Sequence, residues 1–399
     1  MPSKTSTTPK KVDLMYVEGT GDIVEALTRW YHQEDVLTET SLTFSGQVFD
    51  FCKKNNLNTL TISNFNAYKS ISFDGFSAYS KPKLSFAGAI GYHLAQILHG
   101  LTLVTTAIRY RPTYLHITNG ATHWFVLAPL KFFGIKIFPQ FHNTFWAKGY
   151  PPTGKLQKLL LKLDAWFLTH IATGAICCSP EIERQIKEIT HAKSCPTYVF
   201  KAQFNRNSFE NTLPPLAHQQ KPFVVVFAGR IERNKGVFDI VEIAEKLREE
   251  NIIFHICGGG PMLEVLKTEC NQRKLDKQVF IHGRLNRPEL LAIYTQGHAV
   301  IVPTRSDFCE GLPMVAIESV LLGRPVITSS LSNALDVLDA AIVEAQPENI
   351  ESYVAAIRML MTDEMTYKKK RDACLPLRAQ FLDGQQGLTA VLSKTIVDR

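Results

Sequence analysis

Apolar residues along this chain fall into two patterns that alternate from one end to the other. Short unbroken apolar runs read as strands covered on both faces. Longer stretches with apolar positions three and four apart read as helices laid against them. Val12–Val17 is the first expected strand, followed by the turn Glu18-Gly19-Thr20-Gly21 and a helix from Asp22. Further strands are expected at Thr59–Ile62, Tyr114–Ile117, Ile135–Phe141 and Gly174–Cys177, with helices at Ala121–Phe133, Leu156–Leu168 and Pro180–Ile189. Asn207–Pro222 contains Pro214-Pro215 and several polar side chains and reads as a linker. A second alternating series starts at Phe223 and runs through a helical pattern near Ile350–Met361. Such alternation on both sides of a linker implies two parallel α/β domains, residues 12–206 and 223–380. Residues 1–11 are rich in Ser, Thr, Lys and Pro and are expected to be a disordered tail. Residues 381–399 would add a C-terminal helix.

Two segments test whether this is a soluble α/β protein. Leu84 to Ile108 has no Asp, Glu, Lys or Arg and is long enough to span a bilayer. His93, Gln96, His99 and several Gly and Thr residues dilute its hydrophobicity, so a helix largely buried between sheet and neighbours is the expectation and a membrane span the minority alternative. Lys131 to Leu168 holds six lysines against one acid, Asp164, interleaved with Phe132, Phe133, Trp146, Tyr150 and Trp166. Basic and aromatic surfaces of this kind suit anionic lipid headgroups. The apolar stripe of Leu156–Leu168 itself is expected to face the core.

With 399 residues, 45% of them hydrophobic, the chain can bury two cores. A net charge of +7 permits attraction to an anionic surface or a phosphorylated substrate without choosing between them. Nucleic acid is not expected, since no binding motif or dense Arg/Lys tract is present. The eight cysteines form no Cys-x-x-Cys pair and read as reduced, mostly buried thiols of a cytoplasmic protein. No Cys/His spacing suits zinc.

The candidate chemistry lies in the second half. In Glu310-Gly311-Leu312-Pro313-Met314-Val315-Ala316-Ile317-Glu318 a loop runs into a helix, with Pro313 suited to the first helical position. Glu310 would sit in the loop and Glu318 more than a turn inside the helix. The amides of Leu312, Met314 and Val315 would face an anion at the helix N-terminus. Upstream, the apolar run Phe223–Ala228 stops at Gly229-Arg230 and enters a helix after Lys235-Gly236. Both cations thereby flank a strand-to-helix turn, the place where open α/β sheets bind ligands. Carboxylates for hydroxyls and cations for phosphates suit a sugar nucleotide, and no Asp-x-Asp pair is present to hold Mg²⁺. A solvated acidic loop with scattered surface charges would share each spacing singly.

Gly229-Arg230…Lys235-Gly236, Gly258-Gly259-Gly260-Pro261, the Glu310…Glu318 segment and Gly323-Arg324-Pro325-Val326-Ile327 together resemble the C-terminal domain of retaining family-4-type glycosyltransferases (glycosyl transferases group 1). The match in order and spacing covers roughly residues 220–330. The resemblance implies the GT-B fold, two Rossmann-like parallel-sheet domains facing a central cleft, with the last helix (Leu388–Val397) packed back on the first domain. It implies that Arg230 and Lys235 bind the donor diphosphate, that Gly229 and Gly259 belong to the donor site, and that Glu318 binds the ribose hydroxyls. Glu310 would contact the transferred sugar, whose pocket Gly311, Leu312, Pro313 and Met314 would line. Arg284 falls where the family's chain passes the nucleotide base. The first-domain loop Gly19, Thr20, Gly21 stands where the family often has a longer Gly-rich loop.

His142 follows the strand Ile135–Phe141 and is expected at the cleft, where the resemblance implies a place near the reacting centre, whereas His116 is expected to be a hydrogen-bonded strand-end residue. His142, Arg230, Lys235 and Glu310 are therefore the catalytic candidates. The function implied is metal-independent transfer of a hexose-type sugar, with retention, from a UDP- or GDP-type donor to a hydroxyl of a glycan, glycolipid or lipid-linked acceptor, without a further cofactor. The expected location is cytoplasmic, with peripheral contact on the inner face of a membrane. Two alternatives stay open: a sugar-nucleotide 2-epimerase, and a non-catalytic GT-B glycan-binding module. The second is motivated by Ser329-Ser330-Leu331-Ser332-Asn333, which lacks the family's usual Gly-rich loop.

Overall fold

The computed structural model describes residues 11–118, 120–210, 214 and 216–397. Two sheets organise these residues, and neighbouring strands are parallel throughout except at one edge.

The first sheet contains β1 (Leu14–Val17), β2 (Thr59–Ser63), β3 (Lys69–Phe73), β4 (Phe76–Ser80), β5 (Tyr114–Thr118), β6 (Lys136–Phe141), β7 (Ala175–Cys177) and β8 (Thr197–Val199). Their order is β3-β4-β2-β1-β5-β6-β7-β8, with β3 antiparallel to β4. The second contains β9 (Phe223–Ala228), β10 (Ile252–Cys257), β11 (Val279–Gly283), β12 (Ala299–Val302), β13 (Val326–Thr328) and β14 (Ile342–Glu344), in the order β11-β10-β9-β12-β13-β14. The two-domain parallel α/β architecture expected from the alternation is thus the one the chain adopts. In both sheets the order turns about a central strand, β1 or β9, and the loops at the strand C-terminal ends form the place for a ligand.

Each sheet is buried on both faces. Leu14 and Tyr16 of β1 meet the helices Ile23–His32 and Phe44–Lys54, while Met15 and Val17 meet the opposite layer. This explains why β1 and β9 read as unbroken apolar runs. The hairpin β3–β4 and the helix Phe44–Lys54 escape the sequence pattern. β3 alternates exposed and half-buried positions at the sheet edge, and the helix carries Ser45, Gln47 and Lys53 among its apolar residues.

Three helical expectations need correction. Ala121–Phe133 is not an α-helix: 3₁₀ turns run over Trp124–Phe133 with Pro129 inside, because a proline removes a backbone donor and crowds the carbonyl four residues back. The apolar segment from Leu84 becomes the helix Gly88–Tyr110, but only its later part is largely buried. Ile90, Tyr92 and Leu94 remain exposed, because the sheet and the 3₁₀ segment cover the opposite side. The helix Lys155–His170 buries Phe167 and Leu168 but leaves Leu156 and Leu159 exposed, so its stripe is only partly a core face. Among the described residues no helix is long and apolar enough to cross a membrane.

The chain changes domains twice. Ala202, Phe204 and Phe209 already lie in the second domain's core, and the Tyr367 hydroxyl donates to the Leu216 carbonyl at 2.9 Å. Residues 211–213 and 215 of the expected linker, and 1–10 of the expected tail, lie outside the described residues. After Cys374 and Phe381 the chain returns. Leu388, Val391, Leu392 and Ile396 pack with Leu14, Tyr16 and Phe49, and the Tyr114 hydroxyl donates to the Ile396 carbonyl at 3.0 Å.

Candidate active site

The second sheet places its candidate residues on four neighbouring strand ends. Gly229 and Arg230 follow β9, the Gly258–Gly260 turn follows β10, Arg284 follows β11, and Thr304 follows β12. A short 3₁₀ turn, Arg233–Lys235, ends at Gly236, whose φ of 71° and approach to the Pro303 carbonyl leave no room for a side chain. That close contact brings Lys235 against the loop that carries Glu310. Lys235 Nζ donates to both Glu310 oxygens at 2.9 Å, and Thr304 Oγ1 donates to Oε2 at 2.8 Å.

The backbone of Glu310 is held from both domains. Its carbonyl accepts from Asn333 Nδ2 at 2.5 Å and from Thr144 Oγ1 of the first domain at 3.3 Å. Gly311 next to it lies so close to the His142 carbonyl that an added Cβ would stand 1.8 Å from the oxygen. Asn333 itself adopts φ 60°, the left-handed conformation that Asn tolerates better than most residues. It stands in the segment that lacks the expected glycines and supplies both the turn and the hydrogen bond.

Helix Met314–Leu321 buries Glu318 in its second turn. Pro313 is the N-cap and not the first helical residue: its φ of −73° and ψ of 117° are extended. The first turn of any helix leaves its amides without intrahelical acceptors, and here that turn begins at Met314 on the cavity wall. Glu318 accepts from the Tyr294 hydroxyl at 2.8 Å and, across the domain boundary, from Thr40 Oγ1. Burial raises its pKa above the ordinary carboxylate value, and the hydrogen bonds from Thr40 and Tyr294 oppose that rise.

Arg230 and Lys235 both lie over the Phe308 ring, at 5.6 and 3.8 Å from its centroid. The two are not equivalent. Arg230 is largely exposed and pairs with Glu232 at 2.9 Å on the rim, whereas Lys235 is half-buried on Glu310. Two adjoining cavities result. The larger, of about 930 Å³, is walled by Arg230, Gly259, Arg284, Met314, Glu318 and the first-domain segment Thr38–Ser41. The smaller, of about 250 Å³, is walled by Lys235, Thr304, Glu310, Leu312, Pro313 and Met314. Gly229, Arg230 and Met314 belong to both, so the cations and the two carboxylates share one space. Chemically it offers cations and helix amides for phosphates, beside carboxylates able to accept from hydroxyls.

First-domain candidates lie outside it. His142 at the end of β6 is half-buried, and desolvation pushes its pKa down to about 4. Its Nε2 is 3.0 Å from Gln140 Nε2, and its ring lies 4.4 Å from that of Phe44. His116 joins the same row through Gln140 Oε1 at 2.5 Å. The His142 carbonyl lies against Gly311 of the second domain. The turn Gly19, Thr20, Gly21 walls neither cavity; the Asn64 amide ties it down by donating to the Gly19 carbonyl at 3.0 Å.

Several participants had no sequence signal. Thr40 and Glu39 sit in a polar connection between two helices, and only the fold carries them across the cleft. Arg287 anchors that segment: it pairs with Asp35 and donates to the Glu39 carbonyl at 3.0 Å. Tyr294 lies on a helix face with nothing to mark it. Thr304, directly after an apolar strand, was the one positional hint. Among the described residues no group of three or more His, Cys, Asp or Glu side chains is placed to hold a metal ion.

Comparison with known proteins follows the same outline. Residues 208–374 match the family described as Glycosyl transferases group 1. The glycogen synthase of Mycobacterium tuberculosis is 23% identical over 327 residues, covering 78% of this chain and 75% of that protein. Among solved structures, sucrose-phosphate synthase from Thermosynechococcus elongatus superposes with a TM-score of 0.69 at 15% identity, covering 97% of both chains. Alr3699/HepE of Anabaena, solved in complex with UDP, superposes with a TM-score of 0.65 at 13% identity, covering 97% of this chain and 99% of that one. The fold shared with these structures is GT-B.

Proposed function

Starting from a chain that belongs, through residues 208–374, to the group 1 glycosyltransferases, we propose that it moves a hexose-type sugar from a nucleoside-diphosphate donor to an acceptor hydroxyl with retention of configuration. The observation that carries this reading is the Lys235–Glu310 pair, which opens onto the same space as Arg230 and Glu318. In it the ribose takes the Glu318 end of the larger cavity, the base lies toward Arg284, and the sugar enters the smaller cavity beside Glu310. The likeness to a protein solved with UDP favours a uridine donor over a guanosine one.

Arg230, Lys235 and the first-turn amides face the diphosphate and stabilise its growing charge as the bond from the anomeric carbon to the phosphate oxygen breaks. The acceptor oxygen forms its bond to that carbon on the same face, and its proton passes to the departing phosphate oxygen. Glu310 holds a sugar hydroxyl and keeps Lys235 in place. His142 serves through its carbonyl, against Gly311, and sets the floor between the domains. The cations of the chain do the neutralising here, so transfer is expected to continue in EDTA.

The buried thiols Cys52, Cys177, Cys257, Cys270 and Cys374 fit a reducing, cytoplasmic setting. The exposed Phe132, Tyr150, Leu156 and Leu159 among the lysines of residues 131–162 fit peripheral contact with anionic lipid. Co-sedimentation with anionic but not neutral liposomes tests that contact.

Isothermal titration with UDP and GDP, followed by assay of released nucleotide with matching sugars and NMR of the product's anomeric proton, tests the function. Binding of UDP together with an acceptor-dependent release and an unchanged anomeric configuration is expected. No binding of any nucleoside diphosphate would turn the reading toward a glycan-binding module. Release without an acceptor, accompanied by a changed C2 configuration, would turn it toward an epimerase.

A further inference from the structure

Apart from the two cavities, the first domain gathers basic side chains at the C-terminal ends of its own strands. Lys81 and Lys83 follow β4, His93 and His99 lie on the helix Gly88–Tyr110, and His123 follows β5. Lys83 Nζ donates to Gln96 Oε1 at 2.5 Å, to the Ala121 carbonyl at 3.1 Å and to the Gly120 carbonyl at 3.5 Å. The loop after β4 is thereby tied to the loop after β5, over the ends of β2 and β1 that lie between them in the sheet. His93 Nδ1 and His123 Nε2 stand 3.1 Å apart, their rings stacked with centroids at 5.2 Å. His99 is 8% exposed, and its Nε2 has no hydrogen-bond partner.

Among the described residues no carboxylate answers this charge. Each hydrogen-bond acceptor of Lys83 is neutral, and burial alone pushes its pKa down, to about 8. Burial is the main cause that lowers the His99 and His123 pKa values to about 4; Lys83 and Lys81 add to the first shift, and His93 and Lys83 to the second, so these groups feel one another directly. Bringing an ammonium out of water beside other basic groups is unfavourable unless an anion completes the arrangement. The cluster also has an apolar flank. Leu84 adjoins Lys83 and is 61% exposed, Ile90 is 83% exposed, and the exposed Tyr92 ring lies 5.4 Å from that of His93.

We propose that Lys83, His93 and His123 bind the phosphoryl group of the acceptor, and that Leu84, Ile90 and Tyr92 receive an apolar chain attached to it. The acceptor is then a phosphorylated amphiphile. This assignment rests on the first domain being the acceptor side of a glycosyltransferase, as set out above. It adds a ligand class that the donor site does not specify.

Calorimetry on the full chain with octyl phosphate, inorganic phosphate and octyl glucoside, each below its micelle concentration, separates charge from tail. Octyl phosphate is expected to bind at least about tenfold more tightly than either comparator, about 1.4 kcal/mol or more. Lys83→Gln and His123→Gln should each weaken octyl phosphate about tenfold or more while leaving UDP affinity unchanged. Lys83 also ties two loops together, so His93→Gln, which removes no backbone contact, repeats the test where K83Q unfolds. Ile90→Asp should weaken octyl phosphate but not inorganic phosphate. Equal affinity for octyl phosphate and octyl glucoside, or octyl phosphate binding indifferent to K83Q, H93Q and H123Q, overturns the phosphoryl assignment. Inorganic phosphate binding as tightly as octyl phosphate overturns the apolar half and points to a soluble phosphorylated acceptor. Octyl phosphate binding in a protein that takes up no nucleoside diphosphate would leave this site standing and remove the transferase reading beneath it.

Discussion

Thr40 of the first domain donates its hydroxyl to the carboxylate of Glu318, deep in the second. The carboxylate that the proposed function assigns to ribose is therefore already occupied by a hydroxyl of the chain itself. Thr38–Ser41 forms one wall of the larger cavity, so a ribose entering it displaces or shifts that segment.

Thr40→Val keeps the shape and removes the donor. UDP should bind T40V up to about tenfold more tightly, because no internal hydroxyl has to leave. The unliganded protein should lose ~1–3 kcal/mol, since a buried carboxylate forfeits a donor. Calorimetry and thermal melts read both. Weaker UDP binding in T40V would place Thr40 among the nucleotide's own contacts.

Lys235 and Glu310 depend on one another. Lys235→Met leaves the buried Glu310 carboxylate without its cation, a loss of ~3–5 kcal/mol in stability. It should lower kcat by roughly 10²–10³, the range found when one electrostatic donor is removed from an active site. Glu310→Gln should leave UDP affinity within about threefold of wild type while cutting transfer, because Glu310 faces the sugar cavity and not the larger one. The double variant should cost less than the sum of the two singles; additive losses would mean that the pair acts as two separate groups.

Gly311→Ala puts a methyl into the His142 carbonyl and beside Cys178 Sγ. The clash lies between domains, so opening the cleft relieves it without unfolding either core. Overpacking of this size costs ~1–3 kcal/mol. Scattering should report a larger radius of gyration, with thermal stability close to wild type and transfer strongly reduced. An unchanged radius with full activity would mean that the interface yields locally.

The carboxyl of Glu18 at the end of β1 is raised to about 7 by burial, with Glu39 adding to the rise, and burial also raises that of Asp164 to about 7. Both groups hold protons in the folded state that the unfolded chain gives up near pH 4.5 and 3.8. These two contributions to stability are thus present at low pH and decline as pH rises from about 4 to 7. Glu18→Gln and Asp164→Asn should each flatten part of that decline and raise the melting temperature at about pH 8, above both folded values, with their gains adding. A pH profile of melting temperature unchanged in both variants would show that the two carboxyls are ionised in the folded protein.

What the chain's pattern determined, unaided, is the pair of parallel α/β layers and the second-domain constellation. Strands such as β1 and β9 are buried on both faces, so they appear as continuous apolar runs, and Lys235, Glu310 and Glu318 stand in the turns and the helix that follow such runs. Turn chemistry was less legible, since Asn333 does in a left-handed conformation what a glycine was expected to do. Residues that act across the cleft were decided only by tertiary structure. Thr40 meets Glu318, Gly311 meets the His142 carbonyl, and Lys83 meets the loop after β5, because rigid layers bring distant segments together. The local pattern encodes which side of a residue is buried; it carries no record of which domain stands opposite.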